Sequence, residues 1–117
     1  MPKTKTVAFK MRIRIYVGDR MLGPGKIELL GLIDTTGSLT ASAKQMGMSY
    51  MRAWTLVQEL NRDPLRPMVE MSRGGTRGGT AKVTAFGKKV LALYQRMERK
   101  SSSAASADGR KLARLLK

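Results

Sequence analysis

Residues 37–61, GSLTASAKQMGMSYMRAWTLVQELN, decide how this chain folds. They read as two short helices joined by a turn that contains Gly47. Ser38 or Thr40 can cap the first helix, because a hydroxyl accepts from backbone N–H groups that no earlier turn satisfies. Leu39, Ala43 and Met46 then fall at i, i+4 and i+7, which makes one apolar face. The small Ala43 lets a second helix approach closely, and Gly47 suits a turn that needs positive φ, where a Cβ is strained. Ser49 restarts the chain as a second N-cap, and Ala53, Leu56, Val57 and Leu60 follow at i, i+3, i+4 and i+7.

With successive residues about 100° apart, the face opposite that stripe carries Met51, Thr55, Gln58 and Arg62, flanked by Arg52 and Glu59. A helix laid in the DNA major groove reads base edges mainly from its N-terminal turns. Ser49, Tyr50, Met51, Arg52, Thr55 and Gln58 are therefore the candidate readers, with Arg52 suited to a guanine or a phosphate. The same periodicity also fits two ordinary packed helices, so the surrounding sequence has to discriminate.

The chain has 117 residues, enough for one domain with a modest core. It contains no Cys and no His, which excludes disulfides, thiol nucleophiles, Ser-His-Asp chemistry and almost every zinc site. No cofactor and no catalytic site are expected. The N-terminus alternates instead of forming a signal-peptide core, and no apolar run is long enough to cross a bilayer, so a cytosolic location is expected. A formal net charge of +15 makes a polyanion the natural partner, since each phosphate neutralised releases condensed counterions. Counting Lys and Arg against Asp and Glu gives +5 for residues 1–24, +1 for 25–66, +6 for 67–100 and +3 for 101–117. The helix pair is nearly neutral and the flanks hold the charge, as expected if the flanks grip backbone while a helix handles sequence.

Upstream, residues 7–17 alternate, with Val7, Phe9, Met11, Ile13, Ile15 and Val17 on one side and Lys10, Arg12 and Arg14 on the other. A half-buried strand is predicted, and it needs a partner from a later hairpin or a second subunit. Residues 26–35 read as a short, largely buried helix ended by Gly37 as a C-cap. Downstream, Pro64 and Pro67 break the helix. Two short strands, residues 68–72 and 81–84, then flank the tip SRGGTRGGT. A hairpin after a helix-turn-helix is a wing. Arg73, Gly74, Gly75, Thr76, Arg77 and Gly78 are its candidate contacts, the glycines for close backbone approach and the arginines for phosphate or minor groove. The tip is neither G-x-x-x-x-G-K-[ST] nor G-x-G-x-x-G, so a nucleotide-binding loop is not indicated.

Thr84 reads as the N-cap of a helix from residue 85 to about residue 99, with Phe86, Val90, Leu93, Tyr94 and Met97 as its apolar stripe. Such a stripe has to be covered, either within the subunit or by a second copy. Residues 101–117 are expected to form a flexible linker, SSSAASA, and a basic tail.

GSLTASAKQMGMSYMRAW, continuing to ELN, and then PMVEMSRGGTRGGTAKVTAFGKKVLALY together resemble the DNA-binding domain of ModE-type molybdate-responsive transcriptional regulators. The resemblance covers roughly residues 9–97. Its most specific parts are the G-x-S-Y-x-x-A-W helix start and the glycine-rich wing followed by T-x-x-G. It implies a mainly α fold with a small β component: a winged helix-turn-helix with a three-helix core, a β-hairpin wing, an N-terminal strand and a C-terminal dimerisation helix. It also implies a homodimer on a palindromic operator. The recognition helix falls on residues 49–61 and the wing on residues 72–80, within a domain of residues 7–100. The C-terminal oxyanion-binding modules of full-length members have no counterpart in residues 101–117, and Met51 stands where such proteins often carry Lys or Arg. The implied partners are double-stranded DNA and a second copy of the chain, and a separate molybdate-binding protein stays open as a third. The reading from another class is a non-specific architectural DNA- or RNA-binding basic protein, which the charge alone supports equally.

Overall fold

The computed structural model describes residues 8–72 and 79–117. Two short strands, β1 (Ile15–Val17) and β2 (Arg20–Leu22), form an antiparallel hairpin with Val17 opposite Arg20. The two-residue loop between them has Gly18 at φ 62°, which suits a glycine-first hairpin turn. Three helices follow: α1 (Pro24–Thr36), α2 (Leu39–Met46) and α3 (Tyr50–Leu60). A second antiparallel hairpin comes next, β3 (Val69–Ser72) with β4 (Thr80–Val83), in register Val69 to Val83 and Ser72 to Thr80. The chain ends in α4 (Ala85–Ala104) and α5 (Ser106–Leu116).

Local chemistry sets these limits. Pro24 opens α1, where its missing N–H is one that a helix start leaves unpaired anyway. Gly37 closes α1 in the left-handed region at φ 68°, and its N–H bonds the Ile33 carbonyl at 2.8 Å. The Gly37 carbonyl in turn accepts from Ala81 N at 2.9 Å, so the link between α1 and α2 docks onto the edge of β4. Thr84 is the predicted N-cap of α4, its hydroxyl accepting from Gly87 N and donating to the Pro67 carbonyl at 2.7 Å.

Leu29, Leu30 and Ile33 of α1, Leu39 and Ala43 of α2, and Ala53, Leu56, Val57 and Leu60 of α3 meet in one core. Met68, Val69, Ala81 and Val83 of the second hairpin and Leu91 and Tyr94 of α4 complete it. Each fully buried aliphatic side chain there contributes about 1.5–3 kcal/mol over an exposed one. The expected class, mainly α with a small β component, is what the chain adopts.

Three expectations need correction. Residues 8–14 are not a strand: only Ile15–Val17 pairs, with Arg20–Leu22 directly after it. The alternation survives as burial, with Phe9, Met11, Ile13 and Ile15 half-buried between exposed neighbours. An extended segment can pack one side on a core without joining a sheet. Residues 101–104 are no linker, because α4 runs through them to Ala104, and residues 106–116 form α5. The ring of Phe9 packs on Gly109, where an added Cβ would lie 2.4 Å from it, which ties α5 to the N-terminal segment. The stripe of α4 is also turned from its predicted phase. Gly87, Leu91 and Tyr94 are buried, Phe86 and Val90 half-buried, and Leu93 and Met97 remain 59% and 46% exposed. The first turn of α4 is pinned against Met68 through Gly87, and that contact sets the rotation of the whole helix.

Candidate nucleic-acid interface

Helices α2 and α3 are joined as the sequence predicts. Ser38 caps α2, accepting from Ala41 N at 3.0 Å. Gly47 takes φ 68° and ψ 31°. Its N–H bonds the Lys44 carbonyl at 3.1 Å while Met48 N bonds the Ala43 carbonyl at 3.0 Å. This crossed pair satisfies the last carbonyls of α2 and turns the chain sharply. Ser49 caps α3, accepting from Arg52 N at 3.0 Å. Where α2 meets its neighbours, the one buried polar side chain among the described residues, Ser42, donates to the Ser38 carbonyl at 2.8 Å and meets Thr36 Oγ1 at 2.9 Å.

α3 is two-sided. Ala53, Leu56, Val57 and Leu60 are buried, whereas Ser49, Tyr50, Met51, Arg52, Thr55 and Gln58 all lie on the surface. Met51 is the most open of the apolar ones at 66% exposure. The Thr55 hydroxyl donates to the Met51 carbonyl at 2.9 Å, which leaves its oxygen lone pairs and methyl group facing outward. The Gln58 carboxamide can both donate and accept. Trp54 stays 42% exposed, so its ring is only partly covered by the protein. The six wing-tip candidates, Arg73, Gly74, Gly75, Thr76, Arg77 and Gly78, fall outside the described residues.

Several residues that fix α3 were not singled out for this role in the sequence. The Arg20 guanidinium donates to the carbonyls of Leu60 at 3.3 Å and Glu59 at 3.5 Å, closing carbonyls at the C-terminal end of α3 with a positive charge. Beside it, Arg62 pairs with Asp19 at 2.6 Å, so this arginine of the outward face is engaged with the first hairpin. The hydrogen bond from Arg62, and then its charge, hold the Asp19 carboxyl below its ordinary 3.8, and the same contact raises Arg62. Lys26 meets Glu59 at 3.5 Å and partly neutralises an acid next to the exposed face. At the same C-terminal end of α3, Asn61 Oδ1 accepts from Met68 N and Val69 N while its Nδ2 donates to the Val69 carbonyl. The signals were the Gly18-Asp19 turn and an Asn where an apolar helix stops.

The arrangement is chemically suited to an anionic, grooved partner: a helix with donors and acceptors on its free face, braced at its C-terminal end, in a chain of net charge +15. A helix-turn-helix followed directly by an antiparallel hairpin packed on the same core is a winged helix-turn-helix domain.

Within that class the similar proteins agree. The chain is 41% identical over 81 residues, 69% of its length and 30% of the relative's, to molybdenum-pterin-binding protein MopB of Rhodobacter capsulatus. It is 38% identical over 71 residues, 61% of its length, to the DNA-binding transcriptional dual regulator ModE of Escherichia coli K12, covering 27% of that protein. To the molybdenum transport protein ModE of Azotobacter vinelandii it is 32% identical over 104 residues, 89% of its length and 38% of the relative's. No protein-family model matches. The chain is similar to ModE and MopB proteins at 32–41% identity and fits a ModE-type N-terminal fragment, and it spans about a third of the length of the curated relatives it matches.

Proposed function

We infer that this chain is a sequence-specific DNA-binding transcriptional regulator of the ModE type, which binds a palindromic operator as a homodimer through α3 and the wing and acts by binding, not catalysis. The observation that carries the reading is the two-sidedness of α3. Its apolar stripe is fully used by the core, so the exposed run of Ser49, Tyr50, Met51, Arg52, Thr55 and Gln58 is free for a partner. The relatives named as transcriptional regulators support a DNA target, and the uncovered Leu93 and Met97 on α4 support a second copy. Two α3 helices related by a twofold axis enter successive major grooves about 34–36 Å apart, or a multiple of that. The reading also places the chain in the cytoplasm with DNA. No helix among the described residues is long and apolar enough to cross a membrane. Relatives carry molybdenum in their names, and a separate molybdate-binding protein is a third proposed partner beside DNA and a second copy.

Selection of bound fragments from random duplexes, followed by footprinting, tests this. A recovered inverted repeat with protected half-sites one or two turns apart is expected. Equal retention of all duplexes in moderate salt would instead identify a non-specific basic binder.

A further inference from the structure

Residues 12–14, the start of α1 and one flank of α3 enclose an open notch of about 410 Å³. Its rim carries Arg12, Arg14, Lys26 and Arg52 against a single carboxylate, Glu59. Two of these charges are answered within the protein: Glu59 meets Lys26 at 3.5 Å, and Arg12 meets Glu28 at 3.7 Å. Arg14 and Arg52 form no ion pair among the described residues. Gly23 forms part of the wall, and the position of its absent Cβ is 3.7 Å from Arg14 Nε. Its φ of −115° is open to any residue, and its tightest neighbour is Met21 Sδ at 3.1 Å, so the guanidinium of Arg14 lies at ordinary contact distance from this wall.

Two unpaired guanidinium groups lining one concavity repel each other unless an anion joins them. Their fork geometry matches the two free oxygens of a phosphodiester, each of which can accept charge-assisted hydrogen bonds. The notch adjoins the first turns of α3 through Arg52 and Leu56, on its flank and not its outward face. If α3 lies in a groove, that flank meets the strand bordering the groove. The geometry points to this notch as a seat for one backbone phosphate of the duplex, held between Arg14 of the N-terminal segment and Arg52 of α3. The assignment rests on the DNA-binding reading above. It adds a contact that fixes the depth and register of α3, and it gives residues 12–14 a role in binding.

Ethylation interference with a selected fragment tests it, together with the salt dependence of binding to both that fragment and a random duplex. For Arg14→Ala, interference should vanish at one phosphate position in each half-site, and the salt slope should fall by about 0.9 per subunit, about 1.8 for the dimer, on both duplexes. Arg14→Lys should keep the slope. Arg14 is exposed, so both variants should melt like the parent. An interference pattern and slope unchanged by Arg14→Ala would overturn the assignment. So would saturable, Arg14-dependent binding of inorganic phosphate without DNA, which would make this a free-anion site. If selection yields no preferred fragment but Arg14→Ala still lowers the slope on the random duplex, the seat stands and only the sequence-specific reading falls.

Discussion

The carboxamide of Asn61 and the backbone of Val69 bond to each other in both directions, with Nδ2 donating to the Val69 carbonyl at 2.8 Å and Oδ1 accepting from Val69 N at 3.0 Å. Met68 N donates to the same Oδ1 at 2.8 Å. One side chain just past α3 thus supplies the partners of the first backbone groups of the wing. The two elements expected to meet DNA are therefore fixed to each other, not only to the core.

Replacing Asn61 by Ala leaves two N–H groups and a carbonyl without their partner. Unpaired and partly buried groups cost about 1–3 kcal/mol each, less where water can reach them. Asn61→Ala should lower unfolding free energy by about 3 kcal/mol in urea titration. A loss indistinguishable from that of Gln58→Ala, on the open face of α3, would remove Asn61 from this role.

Gly87 and Gly31 make a paired test of space. A Cβ on Gly87 would lie 2.4 Å from the Met68 carbonyl oxygen and 2.9 Å from Val83 Cγ1, with backbone as the harder obstacle. A Cβ on Gly31, inside α1, meets nothing within 4 Å. Gly87→Ala should destabilise by about 1–3 kcal/mol or more as overpacking, whereas Gly31→Ala should stabilise by roughly 0.5–1 kcal/mol through helix propensity. Thermal midpoints moving the same way in both variants would contradict this account of the T-x-x-G sequence.

The helix pair was legible because its signals are local: the serine caps, a glycine with positive φ, and apolar residues at helical spacing all sit within residues 38–60. Other features depended on contacts no short window contains. The alternation of residues 8–14 is a true record of burial, yet no strand among the described residues pairs with the segment, and β1 found its partner through a Gly18-Asp19 turn that the sequence reading passed over. SSSAASA looked like a linker because serine is a modest helix former. Its alanines favour helix, and α4 was already propagating when it reached them. Of the six α3 candidates, the structure establishes position and exposure. The roles of Asp19, Arg20 and Lys26 in holding that helix come from pairs at least 33 residues apart in sequence, from Lys26 to Glu59, beyond any periodicity.

On the open face of α3, Thr55 and Gln58 touch nothing whose loss should disturb the core. Thr55→Ala and Gln58→Ala should keep stability within about 0.5 kcal/mol of the parent, as surface changes do. On a selected operator each should weaken binding by about 1–3 kcal/mol if it pairs with a base edge. Binding to random duplex should be unchanged. Fluorescence anisotropy on the two duplexes measures the difference, and an equal loss on both would assign these side chains to backbone contact.

Tyr94 gives the fold an alkaline limit. Its ring is buried, and its hydroxyl donates to the Ile13 carbonyl, tying residues 8–14 to α4. Burial first, and then the nearby charge of Glu98, push its pKa above the ordinary 10.0, with Arg12 opposing. The phenol is thus harder to ionise in the folded chain than in the unfolded one. Below pH 10.0 both states are protonated and the contribution is complete. As pH rises past that value the unfolded state loses its proton first, and the stability drains away until the folded pKa is reached. Tyr94→Phe should cost about 1 kcal/mol at neutral pH for the lost hydrogen bond. It should also flatten the fall in stability above pH 10.0. Urea midpoints of parent and variant between neutral and strongly alkaline pH read the difference directly. Two curves that remain parallel across that range would mean that Tyr94 ionises as easily folded as unfolded, and that its burial has no part in holding the N-terminal segment.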